Sequence, residues 1–130
     1  MSHHRHVVTA PDAPRPVGPY SHAVRAGGLL FCSGQVGLDP STNRLVEGGP
    51  GDQVRQCLEN IRAVVRAGGA ELDDAVRMTV YVTDMGAFGE VNEAYGSFFG
   101  GEPPARVTIG VAALPGGAQV EVDAVVALPD

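Results

Sequence analysis

The chain has 130 residues, nine basic and fifteen acidic side chains, and a formal net charge of −6. That is the size of one domain with a core of its own, no apolar run approaches a membrane span, and the acidic balance disfavours a phosphate-backbone partner. All nine basic residues are arginine, which removes a Schiff-base lysine, a pyridoxal-phosphate anchor and a phosphate-loop lysine from consideration.

The N-terminus, Met1-Ser2-His3-His4-Arg5, lacks the apolar stretch of a secretory signal, so a cytoplasmic protein with reduced thiols is expected. Residues 1–8 are a candidate for disorder. His3, His4 and His6 there form at most an adventitious metal site, and no resident metal is expected. Pro11, Pro14, Pro16 and Pro19 make the next segment an extended arm that cannot be helical. Ala23 to Ala26, a Gly27-Gly28 turn and Leu29 to Ser33 read as a β-hairpin. Gly37 to Gly51 reads as a turn-rich loop around a short extended piece at Arg44-Leu45-Val46.

A helix is predicted from a cap near Asp52 to Ala67. Val54, Cys57, Leu58, Ile61, Val64 and Val65 follow the helical period, and Gly68-Gly69 stops it. Val76 to Thr83 alternates as a strand, with Val76, Met78, Val80 and Val82 on one face. Asp84 then caps a second helix, roughly Ala87 to Phe99, whose buried stripe is Phe88, Val91, Tyr95, Phe98 and Phe99. Two strands close the chain, about Ala105–Ala113 and Gln119–Leu128, joined by a Leu114-Pro115-Gly116-Gly117 turn. Cys32 and Cys57 read as buried apolar fillers; they are too far apart for a redox or zinc pair.

This order predicts a single α+β domain over residues 1–130, with a sheet of five to six strands and two helices packed on one face. The last strands are apolar on both sides, as in Val107, Ile109 and Val111 against Thr108, Gly110 and Ala112. The second sheet face therefore calls for a cover, and another copy of the chain is the economical one.

Arg106 and Glu121 are the informative exceptions in those strands. An ionised side chain in an apolar strand needs a partner. A guanidinium that grips a carboxylate with two prongs, beside a carboxyl group able to move a proton, suits a small anionic substrate. The same pair also reads as an ion pair in a subunit interface. A cleft between copies is the natural place for either arrangement.

Gly18-Pro19-Tyr20-Ser21-His22-Ala23, then Leu30 to Pro40, then Pro104-Ala105-Arg106, then Val120-Glu121-Val122 closely resemble the reactive-intermediate deaminase family, RidA or YjgF-type. The likeness runs from about Thr9 to Leu128. It implies a chorismate-mutase-like fold, a homotrimer with clefts between subunits, and cofactor-free hydrolysis of enamines and imines such as 2-aminoacrylate to 2-oxo acids and ammonia. By the same resemblance Arg106 clamps the substrate carboxylate and Glu121 handles protons. Tyr20 and Ser33 line the pocket, and the backbone at Thr108 hydrogen-bonds the imine nitrogen or water. Relatives often carry cysteine at Thr108, glutamine at His22 and a polar residue at Gly110, departures that bear on substrate identity. Two other functions stay open: a sensor of 2-oxo acids that turns nothing over, and the RNA cleavage or translation inhibition ascribed to some relatives, which the acidic charge disfavours.

Overall fold

The computed structural model describes residues 4–129. His3, and with it part of the histidine-rich terminus, lies outside the described residues. Eight strands and two α-helices follow in chain order: β1 (His6–Val8), β2 (Ala23–Ala26), β3 (Leu29–Val36), β4 (Leu38–Asp39), β5 (Arg44–Leu45), α1 (Pro50–Ala67), β6 (Ala75–Val82), α2 (Phe88–Gly96), β7 (Ala105–Gly110) and β8 (Val120–Ala127). Six strands form one mixed sheet in the order β1-β2-β3-β8-β6-β7, while β4 and β5 pair by themselves. The expected α+β architecture is the one observed.

The α1 stripe is the main element of the core. Val54, Cys57, Leu58, Ile61, Val64 and Val65 are all fully buried against β3 and β8, and each aliphatic side chain contributes roughly 1.5–3 kcal/mol. The helix begins two residues earlier than predicted. Gly49 is its N-cap and Pro50 its first residue, while Asp52 stands in the first turn and accepts the Gly49 N–H at 3.2 Å. Proline in the first turn forfeits no hydrogen bond, so the sequence stops favouring helix before residue 50 and not at residue 52.

Several other expectations change. β3 runs on to Val36, with a register irregularity between Cys32 and Gln35. Residues 6–8, expected as candidates for disorder, form edge strand β1 against β2. Val76 does not share the buried face of Met78, Val80 and Val82: the pairing with β8 slips between Ala75 and Arg77, and the bulged Val76 turns outward. Asp84 caps a single 3₁₀ turn, accepting the Gly86 N–H at 2.8 Å, and α2 ends at Gly96. Phe88 is exposed, whereas Val91 and Tyr95 are buried as expected. β7 stops at Gly110, where a Cβ would lie 3.0 Å from Met85 Cγ; the glycine makes room for that methionine. β7 and β8 do not pair with each other. β6 lies between them, parallel to β7 and antiparallel to β8.

His22 fixes the proline-rich arm. The Ala10 N–H donates to Nδ1 at 2.9 Å, so Nε2 carries the ring proton and donates it to the Pro14 carbonyl at 2.8 Å. The ring is buried in this arrangement. A glutamine amide offers the same acceptor-plus-donor pair, so histidine here performs a structural task. His22→Ala leaves a buried N–H and a carbonyl unpaired and should destabilise the fold by about 2–4 kcal/mol, read as a shifted denaturant midpoint. A change below the scatter of that measurement would contradict the clamp.

Among the described residues, no helix is long and apolar enough to cross a membrane.

Candidate active site

The sheet separates the two charged residues singled out above. β6 is the common ruler: Met78 pairs with Arg106, and Tyr81 with Glu121. Those β6 positions are an odd number of residues apart, so Arg106 and Glu121 project from opposite faces. Arg106 is on the helix side. Its guanidinium carbon lies 4.8 Å from the Tyr95 ring centroid and 5.8 Å from that of Phe88, stacking that suits a planar cation. Glu121 is on the side that no helix covers.

Each residue borders its own cavity. Glu121, Tyr20 and Ser33 share a cavity of about 270 Å³ with Arg15, Val17, Val36 and Leu38. Arg106 lines a second, of about 430 Å³, with Asn92, Tyr95, Phe99 and Pro104. Thr108 pairs with Val80, on the Arg106 side of the sheet, and borders neither cavity. One chain thus brings together three of the five predicted site residues.

The first cavity owes its shape to local backbone detail. Tyr20 folds back over its own turn: its N–H donates to the Gly18 carbonyl at 2.9 Å, and its hydroxyl accepts the Val17 N–H at 3.1 Å. The Ser33 hydroxyl donates to the Ser21 carbonyl at 2.6 Å, tying β3 to the arm. That leaves its oxygen as an acceptor toward the cavity. Gly34 permits the key approach. A Cβ there would stand 2.6 Å from Glu121 Oε2 and 3.0 Å from Cδ, so the carboxyl group rests directly on the β3 backbone. Gly34→Ala should displace the carboxylate by a fraction of an ångström to an ångström. We expect it to reduce kcat/KM on the order of tenfold to a hundredfold, with an unfolding midpoint close to wild type; unchanged kinetics would show that the carboxyl position is immaterial.

Burial raises the proton affinity of Glu121 above the ordinary carboxylate value of 4.5, and the charge of Asp123 on the same face adds to the effect. Asp123 in turn accepts the Tyr81 hydroxyl at 2.8 Å. This Glu121–Asp123–Tyr81 cluster went unrecognised in the sequence; the spacing of the two acids on one strand face was its only signal. Both thiols are disfavoured as thiolates. Burial pushes Cys32 up to about 12, and Cys57 is likewise raised by burial and gives its S–H to the Val120 carbonyl at 3.6 Å. Among the described residues, no cluster of three or more histidine, cysteine or acidic side chains is arranged to hold a metal.

A family model described as Endoribonuclease L-PSP, the YjgF/RidA family, matches residues 10–128. The chain belongs to the RidA/YjgF family. A RutC family protein of Pyrococcus horikoshii is 44% identical over 121 residues, covering 93% of this chain and 96% of that protein. The mouse 2-iminobutanoate/2-iminopropanoate deaminase is also 44% identical over 121 residues, covering 93% and 90%. Among solved structures, RidA from an Antarctic Psychrobacter is 38% identical with a TM-score of 0.91, covering 95% of this chain and 99% of that one. The RidA-like segments quoted above are thus parts of a match that spans nearly the whole domain. The open sheet face of this RidA/YjgF chain carries Phe31, Val107 and Ile109, each 40–45% exposed, around the polar cluster.

Proposed function

We propose that this protein hydrolyses reactive enamines and imines of 2-amino acids, releasing 2-oxo acids and ammonia without a cofactor. The observation that carries the proposal is the half-buried Glu121 carboxyl group, raised in proton affinity and seated on Gly34, in the wall of a small cavity shared with Tyr20 and Ser33. The name of the mouse relative supports the same reaction class.

The chemistry asks for little. Imines hydrolyse spontaneously, so positioning and acid–base help worth about 3–6 kcal/mol suffice. The enamine 2-aminoacrylate gains a proton at its terminal carbon and becomes the iminium form of 2-iminopropanoate. Water adds to the imine carbon, Glu121 takes a proton from that water, and the nitrogen receives one. The C–N bond of the resulting carbinolamine then breaks as the hydroxyl loses its proton, giving ammonia and the 2-oxo acid. Tyr20 packs over the planar substrate.

The substrate carboxylate requires a cation, and Arg106 of the same chain faces away from this cavity. We infer that a second copy supplies it. The apolar residues of the open face favour such packing, and a closed ring of three copies would complete three sites, each with Arg106 from one protomer and Glu121 from the next. Backbone at Thr108, two residues from Arg106, would enter the same composite site and offer its hydrogen bond to the imine nitrogen or water. The net charge of −6 and the absence of lysine favour a small anionic substrate at arginine over RNA.

The test couples a pyridoxal-phosphate dehydratase acting on serine to pyruvate detection. Added protein should speed pyruvate appearance beyond the spontaneous rate. Binding of 2-oxo acids with no acceleration would replace the enzyme with a sensor.

A further inference from the structure

The Glu121 cavity contains a cation that the reaction above leaves unused. Arg15 lines it, on the arm between Pro14 and Pro16. Its backbone is held in place on both sides of the peptide unit. The Arg15 N–H donates to Asn43 Oδ1 at 3.0 Å, and Asn43 Nδ2 donates to the Arg15 carbonyl at 3.2 Å. Asn43 takes a left-handed conformation, φ 59°, at the end of the β4–β5 turn, where its N–H donates to the Asp39 carbonyl at 2.7 Å. His22 holds the preceding Pro14 carbonyl, and the flanking prolines restrict the backbone further. Among the described residues, no carboxylate lies within 4 Å of the Arg15 guanidinium, a feature it shares with Arg25, Arg44, Arg77 and Arg106; of these, only Arg15 lines the Glu121 cavity.

We infer that Arg15 is the specificity-determining residue of this cavity and receives the second carboxylate of a dicarboxylic imine, such as those formed from glutamate or aspartate. This rests on reading the cavity as the imine site. With Arg106 of a neighbouring copy on the first carboxylate, a monocarboxylic substrate would leave Arg15 without a counter-ion, whereas a dicarboxylate satisfies both cations. A cavity of about 270 Å³ has room for about nine groups the size of a water molecule, at ~30 Å³ each, so 2-iminopropanoate leaves part of it empty, while a longer dicarboxylic imine fills it and reaches out toward Arg106 of the neighbouring copy. Val17, Val36 and Leu38 form an apolar wall for the intervening methylene groups, and a guanidinium fork recognises a carboxylate in two-pronged fashion.

The experiment generates imines in situ with amino-acid oxidases, from glutamate in one arm and alanine in the other, and compares kcat/KM above the spontaneous rate. The wild type should favour the glutamate-derived imine. In Arg15→Gln the ratio of dicarboxylate to monocarboxylate kcat/KM should fall by about tenfold or more. Asn43→Gly, which keeps the left-handed backbone but removes the amide clamp, should lower the same ratio by less. A wild type that prefers the alanine-derived imine, or a ratio that Arg15→Gln leaves unmoved, overturns the assignment. A second readout is calorimetric titration with 2-oxoglutarate and 2-oxobutyrate. If neither imine is hydrolysed faster, the deaminase reading fails, and tighter 2-oxoglutarate binding that Arg15→Gln abolishes would still establish the role of Arg15. Equal affinities for the two acids would refute it.

Discussion

Glu121→Gln should lower kcat roughly 10²–10⁴-fold, the usual contribution of a positioned acid–base group, while 2-oxo acid binding survives largely intact. The amide keeps the shape of the side chain against Gly34 but cannot accept a proton from water. The pH dependence sharpens the expectation. Burial and the Asp123 charge raise the Glu121 proton affinity in the folded state, so the acidic limb of the wild-type rate profile should lie above the pH range of an ordinary carboxylate. Stability should respond in the opposite sense to activity. Because the folded-state value is the raised one, the unfolded chain releases this proton first, and stability falls as pH rises from the ordinary value of 4.5 through the raised one. Above that window the ionised carboxylate is a burden on the fold. Glu121→Gln should therefore be at least as stable as wild type at neutral pH. A variant that loses both activity and stability would indicate a structural carboxylate.

The contrast between what the sequence made legible and what it did not follows the range of each interaction. The α1 stripe and the β2–β3 hairpin were readable because a helical period and a Gly-Gly turn are local. Val76 and Phe88 were misjudged for a physical reason. Each fits a periodic pattern, but a bulge turns the first outward, and α2 begins at the second with one side toward solvent. The insertion of β6 between β7 and β8 depends on contacts across distant segments that no local pattern encodes. The site divides the same way. The segments that resemble RidA pointed to Tyr20, Ser33, Arg106 and Glu121, and the chain is a RidA/YjgF protein. The opposite orientation of Arg106 and Glu121 was hidden, since their parity can be compared only once both strands are registered on β6. Gly34, Arg15 and Asn43 were invisible for a simpler reason. Their importance lies in a close approach, a cavity wall and a backbone clamp, none of which leaves a compositional trace.

That opposite orientation gives Arg106 its own decisive experiment. Arg106→Ala should cost about 2–5 kcal/mol of transition-state stabilisation, seen as a fall in kcat/KM with a rise in KM, because the substrate carboxylate loses its fork. The loss alone would not distinguish a composite site from a contribution across one sheet. Co-expression does. Arg106→Ala supplies an intact Glu121, and Glu121→Gln supplies an intact Arg106. If each site draws one group from each of two protomers, random mixing restores about a quarter of the sites, although both parents are nearly inactive. If the two groups served one site within a single chain, no mixture could assemble a complete set and activity would stay at the level of the parents. Solution mass provides the control, since the composite site requires an assembly larger than the 13.4 kDa chain. Recovery in the mixed assembly, absent when the purified variants are combined without subunit exchange, is the expected result. A monomeric mass accompanied by full wild-type turnover would require Arg106 and Glu121 to act without meeting, and would leave the carboxylate-clamp role of Arg106 without a basis.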